Sequence, residues 1–204
     1  MTAPQLIARA PLRTLRPRDL SDAFANPRAV ISHHLGTGAL ARLAAGYVMA
    51  VPDDAEPGWR PSPETAGAGI AAAIYGIDHI VMMGISAARI HGALPRAIGD
   101  VVIAAPRQHR PLVLDDGGRL HIVQRQTAAL DARLETLDTG RVLVTTVEQT
   151  ALDLARHPGR GDHPEEAAAA LRNLLPRLDH DRLTRITAEQ HGMGAALERI
   201  EALT

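Results

Sequence analysis

The 204-residue sequence predicts an α+β protein: an N-terminal winged helix-turn-helix followed by an α/β domain with a small sheet and a helical C-terminal tail. Hydrophobic residues make up 46% and charged residues 22%, which is typical of a folded protein. Helical periodicity alternates with β-branched runs along the chain. A segment rich in proline and acids, 52–64, is typical of a linker, so domains are expected at 1–55 and 62–204.

Two helices are predicted near the N-terminus. The first begins at Pro17, a residue that suits an initial helical turn, and it places Leu20 and Phe24 on one face. The second begins at the N-cap Asn26, has proline at its first position and ends at Gly36. The two glycines after Leu35 would each cost about 1 kcal/mol inside a helix, so the second helix is not expected to continue.

A β-hairpin is predicted directly after the second helix. Segments 39–43 and 47–51 supply its strands, and residues 44–46 supply its turn. Helix, turn, helix and hairpin in this order define a winged helix-turn-helix, whose second helix enters the DNA major groove. The hairpin of that fold usually touches phosphate or the minor groove.

The second helix has two unlike faces. One carries Val30, Ile31, His34 and Leu35 and is expected to face the core. The other carries Arg28, Ala29, Ser32 and His33, small and polar side chains that suit a groove. With the neighbouring cations, the candidate DNA-binding residues are Arg16, Arg18, Arg28, Ser32, His33 and Arg42.

The charge distribution agrees with a separate nucleic-acid-binding part. Residues 1–50 contain six arginines and two acids, a net charge of +4, whereas residues 51–204 contain 16 arginines and 21 acids, a net charge of −5. A basic domain joined to an acidic one is typical of a DNA-binding protein with a second binding partner.

Several functional classes are excluded by what the sequence lacks. It contains no Cys and no Lys, which excludes disulfides, thiol nucleophiles, the P-loop lysine and a Schiff-base lysine. No signal peptide and no apolar run long enough to span a membrane is evident, so a cytoplasmic protein without a membrane partner is expected.

No catalytic residue, metal or cofactor is expected. Ser86, His91 and Asp153 are of the types found in a catalytic triad, but five residues along a helix do not place Ser86 and His91 on one face. No G-x-S-x-G elbow is present. The adjacent His33 and His34 point about 100° apart on a helix, which argues against a shared metal.

The remaining sequence predicts a mixed domain. Its helix caps are expected at Ser62, at Thr145 or Thr146, at His163 and at Asp179, and Glu148 is expected to cap its own helix. The predicted elements are helix 62–75, an apolar segment 79–83, helix 85–92, strand 99–106, a hairpin turning at 115–118, strand 141–145, and a helical tail whose last helix runs from Gly194 to the C-terminus.

Two motifs in this order carry a resemblance to a known family. SAA-x-x-HG spans Ser86 to Gly92, and E-x-T-A-L-D-L spans Glu148 to Leu154. With the preceding winged helix, the sequence resembles the AbiEi-type antitoxins of type IV toxin–antitoxin systems. The resemblance implies repression of the protein's own operon through operator DNA and neutralisation of a nucleotidyltransferase-like toxin, with no small-molecule substrate.

Two other functions remain open at this point. One is a stand-alone winged-helix transcriptional regulator whose acidic C-terminal domain binds a ligand or forms dimers. The other is an enzyme, which would need a site built from His, Asp and Glu because Cys and Lys are absent.

Overall fold

The computed structural model describes residues 1–94, 96 and 98–203. These residues form eight α-helices and two sheets, which confirms the predicted α+β class. The helices are α1 (Ala3–Ala8), α2 (Pro27–Gly36), α3 (Pro63–Tyr75), α4 (Gly84–Ile90), α5 (Val147–Arg156), α6 (Pro164–Leu174), α7 (His180–Glu189) and α8 (Gly194–Glu201). The strands are β1 (Thr14–Leu15), β2 (Leu40–Ala44), β3 (Tyr47–Ala50), β4 (Val81–Met82), β5 (Val101–Ala105), β6 (Leu112–Val113), β7 (Arg119–Gln124), β8 (Ala132–Leu137) and β9 (Gly140–Thr145).

The N-terminal sheet has three antiparallel strands in the order β1-β3-β2. The predicted hairpin is therefore confirmed, with β2 and β3 joined at Ala45-Gly46. The second predicted helix, now α2, is also confirmed. The side chain of its N-cap residue Asn26 accepts a hydrogen bond from the backbone N–H of Ala29 at 3.2 Å. α1, α2 and this sheet enclose a small core made of Ile7, Leu20, Ile31, Leu40, Val48 and Ala50.

The prediction of a helix that begins at Pro17 is wrong. The structure has a 3₁₀ turn at Pro17–Leu20 instead, and the chain leaves it through a further turn before Asn26. Asp19 explains the short turn, because its Oδ2 accepts from the backbone N–H of Arg16 at 3.2 Å and so caps a single turn.

The second sheet has six strands in the order β6-β7-β5-β4-β9-β8. The pairs β5–β7 and β4–β9 are parallel, and the other three pairs are antiparallel. Side chains of β5 alternate between two cores: Val101 and Ile103 face one, while Val102 and Ala104 face the other. Both faces of the sheet are therefore covered.

Helix α3 covers the first of these faces and also contacts the N-terminal sheet. Every residue from Glu64 to Ala72 is buried. Residues 66–72 are all small or apolar, and Glu64 is paired with Arg89 at 3.1 Å. The glycines of α3 permit the close approach: a Cβ on Gly67 would lie 2.7 Å from Cγ1 of Val101, and one on Gly69 would collide with Thr14. α3 thus lies between the two sheets.

Helices α4 to α8 cover the opposite face of the six-stranded sheet. Of the three caps predicted for these helices, two are present: Thr146 accepts from the N–H of Gln149 at 3.4 Å and Asp179 accepts from the N–H of Arg182 at 3.1 Å. His163 begins α6 but its side chain does not cap it. The last helix ends at Glu201, and Thr204, to which it was predicted to extend, lies outside the described residues.

Candidate nucleic-acid interface

Helix α2 presents a polar face to solvent. Arg28, Ser32 and His33 are all exposed, whereas Ile31 on the opposite face is only 6% exposed and packs in the N-terminal core. The periodicity of the sequence therefore assigned the two faces correctly. The exposed face places a guanidinium, a hydroxyl and an imidazole where each can reach a ligand in solvent.

A concavity of about 680 Å³ lies between the first residues of α2, the 3₁₀ turn and the hairpin. The structure brings three of the candidate arginines together there: Arg16, Arg18 and Arg28. Its lining residues include no Asp or Glu. Three guanidinium groups around one hollow form a local positive potential that suits a phosphate.

The three arginines are not equally available. Arg16 forms a bidentate pair with Asp19, at 3.0 Å from Nε and 3.2 Å from Nη2. Burial alone would raise the pKa of Asp19, but the hydrogen bonds from Arg16 outweigh it and lower that pKa. Arg18 Nε lies 3.9 Å from Asp19 Oδ1, a longer contact than that of Arg16, and the Arg18 side chain is 73% exposed. Arg18 and Arg28 are therefore the freer cations, and Arg16 is partly neutralised.

Arg42, the fourth candidate arginine, does not line this concavity. It is exposed on β2 and lines a separate depression of about 140 Å³ with Arg60, Asp115 and Asp116. The two acids reduce the positive potential around it. The structure thus does not bring Arg42 into the concavity with the other candidate arginines.

Tyr47 belongs to the concavity but is absent from the residues that the sequence suggested. It begins β3, next to Gly46, whose φ of +83° belongs to the hairpin turn. The Tyr47 hydroxyl is a hydrogen-bond donor at neutral pH, and burial raises the pKa of this phenol further from neutrality. An aromatic residue directly after the predicted hairpin turn was the signal that could have identified it.

The residues of the hypothetical catalytic triad do not meet. Ser86 Oγ accepts from the backbone N–H of Val102 at 2.9 Å, and His91 Nε2 lies 2.7 Å from the carbonyl oxygen of Thr145. Asp153 is paired with Arg125 at 3.1 Å. Each group is committed to a structural partner on a different element, and no nucleophile–base hydrogen bond connects them.

Glu148 does not cap its helix as the sequence suggested. Thr146 occupies that position, and Glu148 Oε1 accepts from the backbone N–H of Asp179 at 3.2 Å. Asp131 joins the same network by accepting from Thr146 at 2.6 Å and from Arg182 at 2.8 Å. Burial would raise the pKa of Asp131, but these bonds lower it. The network fastens α7 to α5 and β8.

Comparison with known proteins first defines the fold. The crystal structure of the Rv2827c protein from Mycobacterium tuberculosis resembles this chain with a TM-score of 0.61 and 22% sequence identity. The alignment covers 98% of this chain and 74% of that one, so the two share a fold. No curated protein matches the sequence.

The family is shown by the C-terminal part of the sequence. The family model of the AbiEi antitoxin C-terminal domain matches residues 79–203. The chain belongs to this AbiEi antitoxin family, which confirms the resemblance carried by the two sequence motifs, and an antitoxin family implies a toxin as partner. Among the described residues, no helix is both long enough and apolar enough to cross a membrane.

Proposed function

We propose that the protein is the antitoxin of a type IV toxin–antitoxin system and the repressor of its own operon. Residues 1–55 form a winged helix-turn-helix that binds operator DNA, and residues 62–204 form the domain that neutralises a nucleotidyltransferase-like toxin. The family match over residues 79–203 supports the antitoxin part. The exposed polar face of α2 beside the arginine-lined concavity is the observation that carries DNA binding.

The roles of the N-terminal residues follow from their positions. Arg28 and Ser32 on α2 face the bases of the major groove, and His33 contacts the same groove. Arg16 and Arg18 contact phosphates near the start of the helix. Arg42, on β2, reaches the backbone from the hairpin, with the acids around it limiting its contribution.

Binding to the chain's own promoter tests the DNA-binding part. Fluorescence anisotropy on a labelled promoter duplex should show Arg28→Ala weakening binding by about 5- to 150-fold, the loss of a contact worth about 1–3 kcal/mol. Ser32→Ala should weaken it less. Arg172→Ala, which removes an exposed arginine from α6, is the matched control and should bind as the unaltered chain does. Equal affinities for all three variants would contradict this interface.

Salt dependence separates phosphate contacts from base contacts. Affinity should fall steeply as salt rises, and Arg18→Ala should reduce the slope of log K against log salt by about 1. Binding that does not change with salt would contradict the proposed role of Arg16 and Arg18.

Co-expression with the neighbouring gene tests the antitoxin part. Growth inhibited by that gene product should be restored by the unaltered chain, and also by Arg28→Ala, because neutralisation is assigned to residues 62–204. Specific promoter binding without any rescue of growth would instead support a stand-alone transcriptional regulator.

A further inference from the structure

Two histidines and two aspartates cluster at one edge of the six-stranded sheet, in the C-terminal part of the chain. Asp100 directly precedes β5, and His121 is the third residue of the neighbouring strand β7. Asp162 and His163 belong to the connection between α5 and α6. Residues from three distant segments of the sequence are therefore brought together by the parallel pairing of β5 with β7 and by the packing of one loop.

The distances in this cluster are those of a metal-ligand set. His121 Nε2 lies 3.9 Å from Asp100 Oδ2 and 3.9 Å from Asp162 Oδ2, and His163 Nε2 lies 3.2 Å from the same oxygen of Asp100. In a tetrahedral zinc site with bonds of about 2.0–2.1 Å, neighbouring ligand atoms lie roughly 3.3 Å apart. The ligand atoms of Asp100, His121 and Asp162 all lie within 4.8 Å of one another, so small side-chain adjustments would bring them to that spacing.

One atom of the cluster lacks a partner within the described residues. His121 Nε2 is buried and makes no hydrogen bond, although it faces two carboxylates. A buried ring nitrogen without a partner is costly, because it has lost its water without gaining a bond. A cation held between His121 and the two aspartates would satisfy this nitrogen and both carboxylates together.

The surrounding groups orient the ligands. Asp100 Oδ1 accepts from the backbone N–H of Arg119 at 2.7 Å, which leaves Oδ2 directed at the histidines. His163 lies behind the ligand Asp100, with its Nε2 3.2 Å from Asp100 Oδ2 and its Nδ1 3.9 Å from the carboxylate of Glu166. Arg119 Nη1 lies 3.3 Å from Asp162 Oδ2, but its side chain is 56% exposed and has room to withdraw.

From this geometry we infer that Asp100, His121 and Asp162 bind one divalent transition-metal ion of the zinc class, with water in the remaining coordination position. An imidazole nitrogen beside two carboxylate oxygens suits Zn²⁺, whereas Mg²⁺ and Ca²⁺ prefer oxygen ligands alone. The ion would fasten the loop before α6 to the sheet. This site departs from the sequence-based expectation of no metal, and it is independent of DNA binding.

The test uses the untagged full-length chain, stripped with a chelator and then dialysed. Titration calorimetry with ZnCl₂ should give one ion per chain, while MgCl₂ and CaCl₂ should give no heat of binding. Free Zn²⁺ at about a hundred times its Kd should raise Tm by about 5–10 °C, because the ion binds only the folded chain.

Matched variants locate the site. Asp162 has φ of +63°, a conformation that Asn tolerates, so Asp162→Asn should keep the loop while weakening Zn²⁺ binding by at least about tenfold. His121→Gln should do the same, and its folding is checked by circular dichroism. The control is His109→Gln, which removes another histidine lining the neighbouring cavity and should bind Zn²⁺ normally. Zinc affinity that is unchanged in Asp162→Asn, or equally reduced in His109→Gln, would overturn the proposal.

Discussion

At the scale of single residues, His91 connects the helix α4 to the sheet and is held neutral by its surroundings. It is 8% exposed, and its Nε2 donates to the carbonyl of Thr145 at 2.7 Å. Burial lowers the pKa of His91, and the hydrogen bond to Thr145 opposes this effect only in part. The neutral imidazole is therefore the form that the folded chain accommodates.

Stability should consequently depend on pH near neutrality. Because the unfolded chain takes up the proton on His91 first, its stabilising contribution is complete above about pH 6.5, the ordinary histidine value, and is lost as pH falls toward the lower pKa of the folded state. Urea unfolding at pH 7.5 and 5.5 measures the free energy of unfolding at each pH. The decrease between the two pH values should be smaller for His91→Gln than for the unaltered chain. Burial also lowers the pKa of His157, but His157 is present in both chains, so it does not affect their difference. Equal losses would contradict this role of His91.

Asp153 is a buried charge that depends on Arg125. Only 2% of Asp153 is exposed, and Arg125 Nη1 lies 3.1 Å from its Oδ1. Burial raises the pKa of Asp153, against the opposing effect of Arg125 and Arg160. Removing the cation thus takes the paired charge away from a carboxyl group that water does not reach, although Gln149 and Arg160 remain close to it.

A double-mutant cycle measures this dependence. Arg125→Met should lower the free energy of unfolding by about 3 kcal/mol, the usual cost of leaving a buried charge unpaired. Adding Asp153→Asn to Arg125→Met should recover part of that loss, because an amide is cheaper to bury than a carboxylate. Urea unfolding of the four chains gives the coupling, and strictly additive effects would show that the pair is not coupled.

At the scale of elements, α3 determines how closely the two sheets approach. Gly67 faces β5 and Gly69 faces β1, and neither position has room for a methyl group. Gly67→Ala and Gly69→Ala should each destabilise the chain by about 1–3 kcal/mol through overpacking. The control is Gly194→Ala at the start of α8, where nothing lies within 4 Å of the added carbon. Thermal unfolding compares them, and a neutral effect at Gly67 or Gly69 would contradict the tight packing.

Elements with strong local signals could be predicted from the sequence. The caps at Asn26, Ser62, Thr146 and Asp179 begin helices because each side chain accepts a backbone N–H there. β8 was missed because it is an edge strand in which no side chain is fully buried, so it has no buried apolar alternation. β1 was missed because two residues are too few for a periodic pattern.

The same reasoning explains what could be foreseen of the sites. The exposure of Arg28, Ser32 and His33 follows from helical periodicity alone. The cluster around His121 could not be foreseen, since its members come from a strand start, a strand and a loop that only the tertiary fold brings together. The pairing of Arg16 with Asp19 had a local signal in its spacing of three residues.

At the scale of the whole molecule, the segment 52–62 connects two parts that share a core. Leu43 and Met49 of the N-terminal sheet pack in one hydrophobic cluster with Ile70 of α3 and Ile103 of the six-stranded sheet. The division into domains at 1–55 and 62–204 therefore separates segments of chain whose apolar side chains are in contact. The proposed DNA-binding part, held in this way, would move together with the proposed toxin-binding part.

Cutting the connection tests whether that core holds the molecule together. Pro57 and Gly58 are exposed, so a protease site inserted between them should be cleaved without unfolding the chain. Because the shared core buries Leu43 and Met49 against α3, the two fragments should remain associated and elute together in size-exclusion chromatography. Adding Gly69→Ala, which forces α3 away from β1, should promote their separation, whereas Gly194→Ala should not. Fragments that separate in the otherwise unaltered chain would show that the connecting segment, and not the packing around α3, keeps the two parts together.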